Sequence, residues 1–96
     1  MDSPSSPGYV ESQEDLLVRL KRIEGQVRGI ARMVEDHRYC IDILTQITAI
    51  QAALDNVGLG LLSDHAHHCV MDAAPDKKPE MTQEMMNAIK RLLRRG

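Results

Sequence analysis

The chain has 96 residues, a length that fits one domain and excludes two. It contains no Trp, no Phe and only two Tyr, so any core must be aliphatic, and a chain this short buries little surface by itself. Association with further copies is therefore expected. The net charge of −2 argues against a nucleic-acid partner only as an average over the whole chain.

Several classes of protein are disfavoured at once. No apolar run approaches the ~18 residues of a membrane span, and the first residues lack the basic start and apolar stretch of a secretory signal. We therefore expect a cytoplasmic protein without a membrane anchor. Two Cys are too few for a disulfide framework. No nucleophile–base set, phosphate-binding loop or paired-carboxylate motif occurs at a catalytic spacing, which disfavours an enzyme.

The chain order predicts a tail followed by a helical domain. Residues 1–11 are rich in Ser, Pro and Gly and are expected to be disordered, whereas residues 12–96 are expected to form one domain. The first helix runs to about Glu35, because apolar residues recur at alternating spacings of four and three. This heptad-like seam, which predicts burial, consists of Leu16, Leu20, Ile23, Val27, Ile30 and Val34.

Two more helices are expected after a turn at residues 36–38. The second runs from about Tyr39 to His68 and includes Gly58 and Gly60 as tolerated packing glycines. The third starts near Pro79 and ends near Arg94, with its inward face at Met81, Met85, Ala88, Ile89 and Leu92. The fold class is all-α, with three helices per protomer. A second helix of thirty residues spans ~45 Å, which one small chain cannot cover, so partner chains are expected along it.

Three soft donors lie at the ends of this second helix. Cys40 begins it, while His65 and Cys69 are four residues apart near its end and so share one face. Cys40 is ~38 Å from His65 along a continuous helix, so the three cannot meet within one chain. They can meet if two copies pack antiparallel, which gives two equal sites related by a twofold axis.

The donor set favours copper over zinc. Two thiolates and one imidazole are soft ligands suited to Cu(I), whereas structural Zn(II) usually takes four protein ligands. His67 or His68 could add a fourth ligand, so zinc stays open on spacing alone. A thiol redox switch between Cys40 and Cys69 of different chains also stays open.

Basic residues are concentrated in the first helix and at the end of the chain. Residues 19–38 carry six basic side chains against three acidic ones, and residues 90–96 carry four with no acid. In an oligomer these segments could form one positive surface for a polyanion. A solvated helix face is the alternative that charge alone leaves open.

Together these segments resemble the CsoR/RcnR family of metal-sensing transcriptional repressors, and its copper-sensing branch in particular. The resemblance covers about residues 12–92. The matching motifs are RLKRIEGQVRGI at Arg19–Ile30, EDHRYC at Glu35–Cys40, DILTQITAIQAAL at Asp42–Leu54, HAHHC at His65–Cys69 and EMMNAIK at Glu84–Lys90.

The resemblance implies a disc-shaped homotetramer built from antiparallel dimers. It also implies a repressor that binds operator DNA as the apoprotein and leaves it when Cu(I) binds, which derepresses copper-resistance genes. By the same resemblance, Cu(I) is held by Cys40 of one protomer with His65 and Cys69 of the other. Tyr39 and Glu84 match outer positions that link copper to DNA affinity.

The resemblance also suggests a DNA-contact surface. Arg19 and Lys21 match basic positions implicated in DNA contact, and Arg22, Arg28 and Arg32 are added from charge alone. Some relatives carry a basic residue on the second helix where this chain has Asn56, which leaves the exact surface open. Because no helix-turn-helix is expected, phosphate contacts and DNA shape should dominate recognition.

Two alternatives to a copper-sensing repressor follow from the same residues. One is a Cu(I)-binding or storage protein that never contacts DNA. The other is a persulfide- or redox-sensing repressor of the same family. Within the family, the absence of a His before His37 disfavours the nickel and cobalt branch, and His65 argues against a purely thiol-based sensor.

Overall fold

The computed structural model describes residues 9–93, which contain helices and no strand, as the sequence predicts. The elements are a 3-10 turn at Val10–Ser12, α1 at Gln13–Glu35, α2 at Cys40–His65, a π-turn at Ala66–Val70 and α3 at Lys78–Leu93. Most of the tail predicted over residues 1–11 lies outside the described residues. Its end belongs to the 3-10 turn, where the Ser12 N–H donates to the Tyr9 carbonyl at 2.8 Å. None of the described helices is both long and apolar enough to cross a membrane.

Residues Glu14–Val57 form one compact unit that contains nearly all of α1 and the first part of α2. A four-residue connection joins the two helices, which favours antiparallel packing. The core of this unit consists of Leu16 and Ile23 from α1 with Ile50 and Val57 from α2. The seven-residue spacing within each pair keeps the buried positions on one face of each helix.

Only half of the predicted α1 seam is covered in this unit. Leu16 and Ile23 are buried, but Leu20, Val27 and Val34 remain 41%, 52% and 56% exposed. In a heptad pattern the two sets of positions face slightly different directions. A single facing helix covers one set, and the other set forms an open apolar stripe along α1, which we call the α1 stripe.

The turn between α1 and α2 ends α1 in a Schellman motif. The Arg38 N–H donates to the Met33 carbonyl at 2.9 Å, and the His37 N–H donates to the Val34 carbonyl at 3.1 Å. His37 has a φ of 58°, the left-handed conformation that this position requires. Glycine normally fills the position because a Cβ is unfavourable there.

Replacing His37 with glycine should therefore stabilise the fold. We expect His37→Gly to raise the free energy of unfolding by about 0.5–1 kcal/mol, since relief of the left-handed strain exceeds the added freedom of the unfolded chain. Denaturant unfolding followed by circular dichroism measures the change. Asp36→Gly is the matched control, because Asp36 does not have a positive φ and should lose stability. Equal effects of the two substitutions would remove the strain explanation.

The residues from Gly58 onward belong to a second compact unit, in which α3 packs against the end of α2. A Cβ on Gly58 would lie 3.3 Å from Leu92 Cδ1, so glycine permits close approach of the two helices at this point. The C-terminal end of α3 thus lies beside Gly58, and Glu84, near the middle of α3, lies beside His65. These two contacts make α3 antiparallel to α2. The predicted inward face of α3 is half-buried in this arrangement.

Candidate metal centre

Cys40 is the first residue of α2, and its thiol is free and exposed. The helix starts here because the carbonyl of the preceding Tyr39 accepts N–H bonds from Asp42 at 3.0 Å and Ile43 at 3.3 Å. Tyr39 is thus the N-cap of α2, one residue earlier than the first helical residue. Its side chain is 69% exposed, and an exposed tyrosine beside a free thiol is open to contact from outside this chain.

His65 and Cys69 flank the point at which the second helix changes form. His65 is the last residue of α2, and Cys69 lies in the π-turn, where the Met71 N–H donates to the Ala66 carbonyl at 2.9 Å. Both side chains are half-buried, and the Cys69 thiol is free. His67 and His68 belong to the same π-turn but are exposed.

The π-turn is a feature that the sequence analysis missed. The periodic pattern predicted an α-helix as far as His68, whereas α2 ends at His65 and the chain continues to Val70 in the wider form. No residue type in His-Ala-His-His-Cys distinguishes the two backbone forms. Single π-turns within helices occur frequently at functional sites, so the position of Cys69 in this turn is typical of a functional residue.

Glu84 on α3 lies beside the imidazole of His65. Its Oε1 is 3.9 Å from His65 Nε2, which is within ion-pair distance but too long for a hydrogen bond. The His65 side chain is 34% exposed and that of Glu84 is 70% exposed. Since Nε2 is the ring nitrogen that lies 3.9 Å from the carboxylate, Nδ1 is the one left for another partner. A histidine that binds metal commonly donates its second N–H to such a carboxylate.

Within residues 9–93 of one copy, no three His, Cys, Asp or Glu side chains come close enough together to hold a metal ion. Cys40, His65 and Cys69 therefore do not form a metal site within one copy of the chain. Both cysteines are free thiols, so each remains available as a ligand. This donor set has the softness that Cu(I) favours.

The predicted DNA-contact residues all lie on α1 and are exposed. Arg19 and Arg22 line a groove of about 350 Å³ in the Glu14–Val57 unit, together with Gln26, Asn56 and the carboxylate of Asp15. We call it the α1–α2 groove. The other predicted contacts, which are Lys21, Arg28 and Arg32, lie outside its lining. The sequence could not reveal the groove, because it depends on how α1 and α2 pack.

Two ion pairs along α1 connect residues four apart. Arg19 Nε lies 3.1 Å from Asp15 Oδ2, and Arg28 Nη2 lies 3.3 Å from Glu24 Oε1. All four side chains are about half to two-thirds exposed, so each pair contributes little to stability. The two pairs differ in location, because only the Asp15–Arg19 pair lies in the α1–α2 groove.

Comparison with known proteins identifies a family. The metal-sensitive transcriptional repressor family matches residues 12–91. The copper-sensing transcriptional repressor CsoR of Bacillus subtilis is 54% identical over 82 residues, which cover 84% of this chain and 81% of that protein. The copper-sensing transcriptional repressor RicR of Mycobacterium tuberculosis is 47% identical over 90 residues, which cover 91% of this chain and 94% of the relative.

A solved structure is similar in fold as well as in sequence. The crystal structure of the copper-sensing repressor CsoR with Cu(I) from Geobacillus thermodenitrificans has a TM-score of 0.78 and 55% identity, and the match covers 88% of this chain and 90% of that one. The all-α fold and the sequence resemblance are thereby confirmed. The protein belongs to the family of metal-sensitive transcriptional repressors.

Proposed function

We propose that the protein is a Cu(I)-responsive repressor that binds operator DNA as the apoprotein and is released when copper binds, so that copper-resistance genes are expressed. The similarity to a repressor crystallised with Cu(I), at 55% identity over most of both chains, carries this proposal. As a regulator of transcription it would act in the cytoplasm. Residues 12–96 would form the sensing and DNA-binding domain, and residues 1–11 a tail.

The proposed copper ligands are Cys40 from one protomer with His65 and Cys69 from its partner. The free thiols, the half-buried imidazole and the position of Glu84 Oε1 at 3.9 Å from His65 Nε2 support this assignment. In this arrangement the imidazole would bind through Nδ1. Cu(I) would supply a bond between subunits that a monomer cannot make, because it joins donors from opposite ends of α2.

The proposed assembly is an antiparallel dimer, paired into a disc-shaped tetramer. The α1 stripe supports it, because three large apolar side chains on one helix face remain open in a single copy. Leu44 and Leu54 on α2 are also about half exposed, at 53% and 45%. Burying such surface against further copies is the ordinary way for a small aliphatic chain to gain stability.

The proposed DNA surface lies on α1 and includes Arg19, Lys21, Arg22, Arg28 and Arg32. Arg19 and Arg22 share the α1–α2 groove with the amide side chains of Gln26 and Asn56. Guanidinium groups bind phosphate through paired N–H donors, and amides add neutral contacts. Since Asn56 carries no charge, phosphate attraction at the groove would come from the two arginines.

Gel-shift and fluorescence-anisotropy titrations of the apoprotein on promoter fragments captured from the source genome test this function. We expect binding that weakens steeply as salt rises, because several phosphates are neutralised, and loss of binding on anaerobic addition of one Cu(I) per protomer. A storage protein would take up Cu(I) without binding any fragment at low salt. A thiol sensor would be released by persulfide and not by Cu(I). Either result would contradict the proposal.

A further inference from the structure

The α1–α2 groove contains one acidic side chain among its basic and amide groups. Asp15 lines it together with Arg19, Arg22, Gln26 and Asn56. The Asp15 carboxylate contacts Arg19 Nε at 3.1 Å, so in the free protein it occupies a position against the guanidinium that an anionic ligand would also use. A carboxylate and a phosphate oxygen make the same type of charge-assisted contact with arginine.

We propose that Asp15 lowers the affinity of the apoprotein for operator DNA by competing with a backbone phosphate for Arg19. This inference rests on the proposed function, because it requires that the α1–α2 groove faces DNA. When DNA binds, a phosphate displaces the carboxylate from Arg19, and the carboxylate then stays near the phosphate as a like charge. Asp15 thus opposes DNA binding in two ways: in the free protein it occupies Arg19, and in the complex it repels the bound phosphate.

The exposure of the pair permits this exchange. The Arg19 and Asp15 side chains are 49% and 65% exposed, so water solvates both and little free energy holds them together. A pair buried on all sides would resist separation. The exposed pair can open at small cost when a phosphate approaches, and Asp15 therefore sets the affinity without blocking the groove.

The test is Asp15→Asn, which removes the charge and keeps the size of the side chain. We expect its affinity for the captured promoter fragment at low salt to rise roughly three- to ten-fold, as removal of one nearby like charge predicts, and the gain to shrink at high salt. Glu14→Gln is the matched control, because it also removes one exposed acid from the first turn of α1, but outside the α1–α2 groove and outside both α1 ion pairs. Both variants have the same net charge.

A double substitution tests whether Asp15 lowers DNA affinity through Arg19. In an Arg19→Gln background, Asp15→Asn should gain no more affinity than Glu14→Gln does, because the guanidinium with which Asp15 pairs is gone. Asp15→Glu, which keeps the charge, should keep the low affinity. Circular dichroism of each variant checks that α1 is folded.

Two results separate this inference from the proposed function. If the unmodified apoprotein binds no promoter fragment at low salt, the proposed function itself fails. If it does bind, and Asp15→Asn and Glu14→Gln raise affinity equally, the gain comes from net charge alone and the role of Asp15 is refuted.

Discussion

Cys40→Ser and Cys69→Ser should each abolish high-affinity Cu(I) binding when prepared alone, whereas co-expression of the two variant chains should restore it in part. Loss of one thiolate is expected to weaken Cu(I) binding by more than about 100-fold, which is the upper end of the effect of changing a group outside the ligand set. Apo DNA binding should persist in both variants, because neither cysteine lies on α1. Anaerobic competition with a Cu(I) chelator measures the affinity.

Co-expression of the two variants tests whether subunits share the site. In a mixed dimer, the Cys69→Ser chain supplies Cys40 and the Cys40→Ser chain supplies His65 and Cys69, so one of two sites is intact. Random pairing makes half of the dimers mixed, so about one quarter of the sites should bind Cu(I). A site formed within one chain would regain nothing.

The choice of a second pair provides the control. Co-expression of Cys69→Ser with His65→Ala should restore no Cu(I) binding, because both changes affect the ligands that one chain supplies together. His67→Ala, in the same π-turn but exposed, should bind Cu(I) as the unmodified chain does. The shared site would be refuted if Cu(I) binding returned in the control mixture of Cys69→Ser and His65→Ala. It would also be refuted if no binding returned in the mixture of Cys40→Ser and Cys69→Ser.

Glu84→Gln should separate copper binding from DNA release. The carboxylate lies 3.9 Å from His65 Nε2, and its attraction for the imidazole N–H should increase once the ring is held as a ligand. That attraction would draw α3 toward α2. Its loss should cost Cu(I) affinity no more than about 10- to 100-fold, within the range for groups outside the ligand set.

The larger effect of Glu84→Gln is expected in the coupling between Cu(I) binding and DNA affinity. Ligand-controlled systems typically change affinity for the second ligand by about 5- to 150-fold, and we expect Glu84→Gln to bring this ratio close to one. The ratio is measured as DNA affinity with and without saturating Cu(I). Glu80→Gln is the control, because it removes the same charge one turn earlier on α3 from an exposed position. Equal copper-induced release by the two variants would exclude Glu84 from the coupling.

The helices could be predicted from the sequence because local patterns fix them. The heptad spacing from Leu16 to Val34 placed α1, and Pro79 placed the first turn of α3. Continuity of α2 through Gly58 and Gly60 was also predicted correctly, and the structure supplies a packing reason at Gly58 in its contact with Leu92.

Other features depend on packing and could not be predicted. The spacing could not tell which half of the α1 seam α2 covers, because both halves have the same pattern. The π-turn has no residue signature, and the α1–α2 groove exists only once two helices are in contact. The donors Cys40, His65 and Cys69 could be selected by type, whereas their assembly depends on a second chain and remains a prediction.

The α1 stripe has a consequence for the amount of repressor a cell must make. In the proposed tetramer the α1 stripe is covered by further copies, so the concentration of active repressor would rise as a power, greater than one, of the chain concentration. Operator occupancy would then fall steeply when synthesis drops, and a newly made chain would have to meet others before it could silence a gene.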